Sequence, residues 1–62
     1  MTCAQDGKQC ILLVEDDKLT REATRSILQD MYIFVDVATA EEALRLLRQG
    51  LQPDLVLLDV RL

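Results

Sequence analysis

Acidic residues follow two separate apolar runs of the sequence. Glu15, Asp16 and Asp17 come directly after the run CILLV, and Asp59 comes directly after the run LVLL. If the two runs are neighbouring parallel strands, their carboxyl ends meet at one edge of a sheet and the carboxylates gather there. Ionised carboxylates held this close either take up protons, with raised pKa values, or bind a cation.

The chemistry of such a cluster follows from its donor atoms. Oxygen ligands without His or Cys select Mg²⁺, Mn²⁺ or Ca²⁺. A carboxylate beside such a metal can attack a phosphoryl group and form an acyl phosphate. Acidic residues also favour the first turn of a helix, and this purely structural reading applies to Glu15–Asp17. It does not explain Asp59, so the two features together favour a functional site.

The first two elements are predicted from apolar spacing. Residues 10–14 are a continuous run, typical of a strand covered by helices on both faces. Asp17 is placed to cap a helix whose apolar residues recur at helical spacing: Leu19, Ala23, Ile27, Leu28 and Met31. A second strand follows at 32–37, and its Asp36 suits the edge of a sheet.

A second helix and a third strand complete the pattern. Thr39 and Glu42 form a capping box at the start of this helix. Its predicted apolar face consists of Ala43, Leu44 and Leu47. Gly50 is placed to end the helix, and Pro53 prevents its continuation. The third strand is predicted at 55–58.

The order β-α-β-α-β indicates an α/β fold with a parallel sheet and right-handed crossovers. The first strand is uniformly apolar and the second carries Asp36, so we predict the strand order 2-1-3 with one helix on each face. Strands one and three then meet at a topological switch point, which brings Asp16 and Asp59 together.

Length, composition and charge limit the functions that the chain can have. The chain has 62 residues, a net charge of −4 and two aromatic residues, which indicates one small domain with an aliphatic core. Residues 1–9 are a polar leader without the apolar centre of a signal peptide, and no run spans a bilayer. We therefore expect a cytoplasmic protein without membrane contact. Direct contact with nucleic acid is not expected, because the basic residues are not clustered.

Two cysteines, Cys3 and Cys10, fit no zinc-binding spacing, and the chain has no His. We expect Cys3 to lie in a mobile tail and Cys10 to be a small buried residue of the first strand.

Two segments together resemble the receiver domain of two-component response regulators. Residues 11–17, ILLVEDD, resemble that family's first strand and acidic pair, and residues 53–62, PDLVLLDVRL, resemble its third strand and phosphoacceptor segment. The AEEAL segment of the second helix is also similar. The resemblance covers 10–62, which we take as the N-terminal portion of a receiver domain. It implies a flavodoxin-like doubly wound parallel sheet, truncated to βαβαβ.

The resemblance also implies a role for each matching residue. Asp59 matches the aspartate that accepts a phosphoryl group from the phosphohistidine of a histidine kinase or phosphotransfer protein. Asp16 matches a direct Mg²⁺ ligand, and Glu15 matches its partner, which usually acts through a metal-bound water. Arg61 matches the position whose backbone carbonyl is a metal ligand. Asp17 follows the acidic pair and is better explained as the cap of the first helix.

The chain departs from the family pattern after its third strand. The later Ser or Thr and the Lys of complete receivers are missing; neither Lys8 nor Lys18 is placed to replace that Lys, and Thr20 and Thr24 belong to the first helix. We therefore expect a fragment of a longer protein. Its third strand would be an apolar edge, which favours a homodimer, a swapped oligomer or poor folding.

Three alternative functions can each be compared with a feature of the sequence. An aspartate-nucleophile phosphatase of the haloacid dehalogenase type has a second Asp two positions after the nucleophile, where this chain has Arg61. A degenerate receiver acting only as a protein-interaction segment stays open. A Rossmann nucleotide site is excluded, because no glycine-rich turn follows the first strand. The leading expectation is a phosphoacceptor switch and not an enzyme with conventional turnover.

Overall fold

Five elements alternate along the chain in the computed structural model, which describes residue 4 and residues 7–59. They are β1 (Gln9–Glu15), α1 (Lys18–Leu28), β2 (Tyr32–Val37), α2 (Ala40–Arg48) and β3 (Leu55–Asp59). The predicted β-α-β-α-β order is confirmed. The first strand begins one residue before the predicted run and ends on the first of the three acidic residues.

The three strands form one parallel sheet in the order β2-β1-β3, as predicted. This is the arrangement of the first three strands of a flavodoxin-like, doubly wound sheet. Val14 pairs with Val37 on one side and with Leu58 on the other. The central strand is buried from Cys10 to Glu15, because it has a strand on each side and a helix on each face.

Alternation along β1 assigns the two faces of the sheet. Leu12 and Val14 pack on the α2 side, in a core cluster completed by Val37, Ala43 and Leu51. Leu13 and Glu15 point to the α1 side, where they line a cleft shared with that helix. The expected placement of one helix on each face is therefore confirmed.

Helix α1 begins where the sequence predicts and faces the sheet differently from what the apolar spacing predicts. Asp17 caps it by accepting a hydrogen bond from the Thr20 amide, with an N···O distance of 3.2 Å. Leu19 and Ile27 are 75% and 76% exposed, and Met31 lies beyond the helix. The half-buried residues of the helix are instead Thr20, Arg21, Thr24 and Leu28. The helix is present as predicted, and among its regularly spaced apolar residues Leu28 alone is half-buried.

Helix α2 shows a smaller correction of the same kind. Thr39 accepts a hydrogen bond from the Glu42 amide at 3.2 Å, as the capping box predicts. Ala43 is buried and Leu46 packs beside it, whereas the other two residues of the predicted face, Leu44 and Leu47, are exposed. The helix is thus rotated relative to the predicted face.

The helix C-terminus and Cys10 are the remaining local features. Gly50 has a φ of 104°, a left-handed conformation that glycine adopts without strain, and it follows the last turn of α2 as predicted.

Cys10 is fully buried, as expected, but its sulfur is disulfide-bonded. The other cysteine of the sequence, Cys3, lies outside the described residues, and so does Arg61. Neither described helix is long and apolar enough to cross a bilayer.

Candidate functional site

The carboxyl ends of β1 and β3 form the centre of the candidate site. Glu15 and Asp59 are direct partners in the parallel register of these strands, so their side chains project from the same face of the sheet. A cleft of about 330 Å³ opens beside them, lined by Leu13, Glu15, Thr20, Thr24, Leu57, Leu58 and Asp59. The sequence predicted that Asp16 and Asp59 would come together. The residue directly opposite Asp59 is instead Glu15, because β1 ends at Glu15 and Asp16 lies in the exposed bend that follows.

Glu15 is the buried member of the acidic group. Its side chain is only 1% exposed, and its Oε1 atom accepts a hydrogen bond from the Asp17 amide at 2.9 Å. The neighbouring carboxyl groups of Asp59 and Asp16 also act on it. The side chain is thus held between the backbone of the following turn and the carboxyl end of β3.

These contacts raise the pKa of Glu15. The hydrogen bond to Asp59 is the largest cause, because two carboxyl groups can share a hydrogen bond only if one is protonated. Burial and the hydrogen bond to Asp16 act in the same direction, and the Asp17 amide opposes them by stabilising the ionised form.

The three consecutive acidic residues have three different environments. Glu15 is the last residue of β1, Asp16 lies in an exposed bend, and Asp17 is the N-cap of α1. The Oδ2 atom of Asp17 accepts from both the amide and the hydroxyl of Thr20, the latter at 2.5 Å. The expected cap is confirmed, so only the first two acidic residues remain for the chemistry of the site.

Two hydroxyl side chains of α1 also line the cleft. Sequence reasoning assigned Thr20 and Thr24 to the first helix and gave them no place beside Asp59, yet both line the same cleft as that residue. They follow the cap residue Asp17 by three and seven positions, which places them on one side of a helix. That spacing relative to the cap is the signal that would have found them.

The donor atoms fit a hard cation such as Mg²⁺. Glu15, Asp16 and Asp59 offer only carboxylate oxygens, which suit hard divalent cations. Within the part of the chain that the structure describes, no three acidic, His or Cys side chains form a complete set of metal ligands. The fourth expected ligand, the Arg61 carbonyl, lies outside that part.

One comparison with known proteins identifies the family. The profile of the response regulator receiver domain matches residues 11–62 of the 62-residue chain. The chain belongs to the response regulator receiver domain family. No curated protein and no solved structure matches it. Receiver domains act in two-component signalling, generally as switches rather than classical enzymes, and the three-stranded arrangement described above agrees with that family's sheet.

The family places the site in a known setting. Receiver domains interact with histidine kinases or phosphotransfer proteins and commonly bind Mg²⁺. In this receiver, the acidic residues at the strand ends are Glu15, the last residue of β1, Asp16, which follows it, and Asp59, the last residue of β3. The geometry sets Glu15 opposite Asp59 in the wall of one cleft and leaves Asp16 exposed to solvent.

Proposed function

We propose that this receiver accepts a phosphoryl group on Asp59 from the phosphohistidine of a histidine kinase or phosphotransfer protein, in a reaction that depends on Mg²⁺. The observation that supports this most directly is the register of β1 and β3, which sets Glu15 against Asp59. Asp59 is exposed at the mouth of a cleft, where a partner's imidazole can approach it.

The proposed transfer is a displacement at phosphorus. A carboxylate oxygen of Asp59 forms a bond to phosphorus while the bond from phosphorus to the imidazole nitrogen breaks. The nitrogen keeps the electron pair of that bond, and Asp59 becomes an acyl phosphate. The attacking oxygen belongs to a carboxylate, and Glu15 lies directly opposite Asp59 at the strand ends.

The proposed metal ligands are the carboxylates of Glu15, Asp16 and Asp59 and the backbone carbonyl of Arg61. Bound Mg²⁺ would supply positive charge for the phosphoryl oxygens during the transfer. Glu15 is already held by the Asp17 amide, so its carboxylate is oriented before any ion binds. Loss of the Glu15 proton on metal binding would link affinity to pH.

Phosphorylation with acetyl phosphate and Mg²⁺ tests the proposal. We expect the chain to gain the mass of one phosphoryl group, on a bond that hydroxylamine cleaves, as it does for acyl phosphates. Asp59→Asn should abolish this gain. The matched control is Asp30→Asn, which makes the same change at an exposed turn residue between α1 and β2 and should leave labelling intact.

Two results would contradict the proposal. Equal labelling of the Asp59→Asn variant would place the modification elsewhere. Sustained release of inorganic phosphate from a phosphomonoester, lost in the same variant, would instead support the phosphatase alternative and turnover by an enzyme.

The cellular setting we propose is the cytoplasm, where thiols are normally reduced, so the Cys10 disulfide would be reduced there.

The exposed edge of β3 favours self-association as a second candidate function. Among the described elements, β3 contacts β1 alone, and Leu55, Val56 and Leu58 are all exposed. An apolar strand with an unpaired edge can add a strand from another copy. Sedimentation velocity over a range of concentrations tests this, with Val56→Lys at the edge and Leu19→Lys on α1 as the control. A compact monomer at every concentration would exclude a homodimer or swapped oligomer.

A further inference from the structure

Arg21 connects the end of β1 to the edge strand of the sheet. Its Nη1 atom donates a hydrogen bond to the backbone carbonyl oxygen of Glu15 at 2.9 Å. Its Nε atom lies 3.4 Å from Oδ2 of Asp36 on β2. The side chain is only 19% exposed, so these contacts are made largely away from solvent. One guanidinium group thus holds the last carbonyl of β1 and is itself held by an acidic residue of β2.

The carbonyl that Arg21 contacts is part of the peptide group joining Glu15 to Asp16. A peptide group is planar and includes the Cα atoms of both residues it joins. Fixing the direction of this carbonyl therefore fixes the direction in which the backbone leaves β1. The two Cα atoms of this plane carry the two side chains that we propose as metal ligands beside Asp59.

Asp36 is shared with a second arginine, which supplies a natural comparison. Arg25 donates from Nη1 to Oδ1 of Asp36 at 2.8 Å, but its side chain is 50% exposed. Within the described residues, the guanidinium group of Arg25 contacts Asp36. Arg21 and Arg25 therefore carry the same charge on the same helix and share one acidic partner, but only Arg21 is seen to contact the backbone of the site.

We propose that Arg21 is a positioning residue for the metal ligands, acting through the Glu15 carbonyl. The inference rests on the proposed Mg²⁺-dependent function and names a residue that the acidic motif does not contain. Asp36 serves as the anchor that keeps the guanidinium directed at this carbonyl. The fork of the guanidinium allows it to contact both groups at once, which the single ammonium of a lysine does not reproduce.

Electrostatics alone predicts the opposite effect on metal binding. Removing a positive charge near a cation site lowers repulsion, so Arg21→Gln would bind Mg²⁺ more tightly if charge were all that mattered. Positioning predicts weaker binding, because the Glu15–Asp16 peptide group loses its donor. Loss of a group that orients metal ligands typically weakens affinity by about tenfold or more. The sign of the change therefore separates the two effects.

The test titrates Mg²⁺ alone into ¹⁵N-labelled chain and follows amide shifts, with circular dichroism to check folding. We expect Arg21→Gln to weaken binding about tenfold and to move the Asp16 amide resonance in the metal-free protein. The control, Arg25→Gln, should bind as tightly as the original chain or slightly more tightly. Both changes keep a similar helix propensity. If Arg21→Gln does not fold, Arg21→Lys takes its place and should also weaken binding.

The possible outcomes of this titration support or overturn the positioning role of Arg21. Equal or tighter binding by the folded Arg21 variant overturns the positioning role and leaves the proposed function intact. Weakening by Arg25→Gln to the same extent also overturns it, because the effect would then belong to Asp36. No binding by the original chain at millimolar Mg²⁺ contradicts the proposed function, and the inference falls with it.

Discussion

Glu15 and Asp59 are direct partners in the pairing of β1 and β3, and their side chains lie on the same face of the sheet. The contact joins residues that are far apart in sequence and exists because both strands end at the same level of the sheet. It explains the raised pKa of Glu15 by placing a second carboxyl group against a buried one. Testable consequences follow for pH dependence, ion binding and stability.

The pH dependence of stability should change when Glu15 is replaced. Its pKa is raised above the ordinary value of 4.5 in the folded chain, so folding favours the protonated form. The resulting stabilisation is full below the ordinary value and is lost as the pH rises through the raised one. Urea unfolding without divalent cations should therefore show the original chain losing stability relative to Glu15→Gln as the pH rises. The control Glu22→Gln, at an exposed position of α1, should give no such trend.

Magnesium should stabilise the chain and Asp59→Asn should reduce the effect. Binding to the folded state alone adds RT ln(1 + [L]/Kd), about 1.4 kcal/mol at roughly ten times the dissociation constant. Thermal or urea unfolding at one fixed protein concentration measures the gain with increasing Mg²⁺. Potassium chloride at matched ionic strength is the control for screening. A gain of the same size in the Asp59→Asn variant would show that the ion binds elsewhere.

The hydrogen bonds that Asp17 accepts at the start of α1 should contribute measurably to the free energy of unfolding. Asp17→Ala removes the acceptor for the Thr20 amide and hydroxyl and should lower the free energy of unfolding by about 1 kcal/mol. Asp17→Asn retains an acceptor oxygen and should cost only a fraction of that. Equal losses in the two variants would mean that the charge of Asp17, and not its hydrogen bonds, is what matters. Urea unfolding at neutral pH distinguishes these results.

Substitutions on the sheet face covered by α2 should lower the free energy of unfolding more than substitutions on the exposed side of α1. Leu12 is fully buried in the core cluster, whereas Leu19 on α1 is 75% exposed. Leu12→Ala should therefore cost about 2–5 kcal/mol. The same substitution at Leu19 should change stability by no more than about 0.5 kcal/mol. A large loss at Leu19 at one fixed protein concentration would indicate that its surface is covered in an assembly.

The sequence predicted the features that depend on short stretches of chain. The apolar run before Glu15 gave the central strand, and Asp17 and Thr39 gave the starts of the two helices. The edge position of β2 followed from Asp36, which breaks an otherwise apolar strand. The acidic residues of the candidate site were predicted in the same way, because Glu15 and Asp59 each directly follow an apolar run.

The buried faces of the helices were predicted less well. Leu19 and Ile27 recur at helical spacing and are exposed, while Thr20 and Thr24 line the cleft. Periodicity shows that a helix has an apolar side but not which side the sheet covers. On the side of α1 that faces the sheet, Arg21 contacts the Glu15 carbonyl and Asp36.

By itself, the sequence determined the order of the elements, the caps and the acidic residues available for chemistry, because these depend on neighbouring residues. Only the tertiary structure decided that Glu15 lies opposite Asp59 and that Arg21 holds the carbonyl between the two proposed ligands of β1. Strand register and helix rotation are set by contacts between distant segments. A shift of one residue in the pairing of β1 and β3 would turn Glu15 to the other face, and no local pattern prevents that shift.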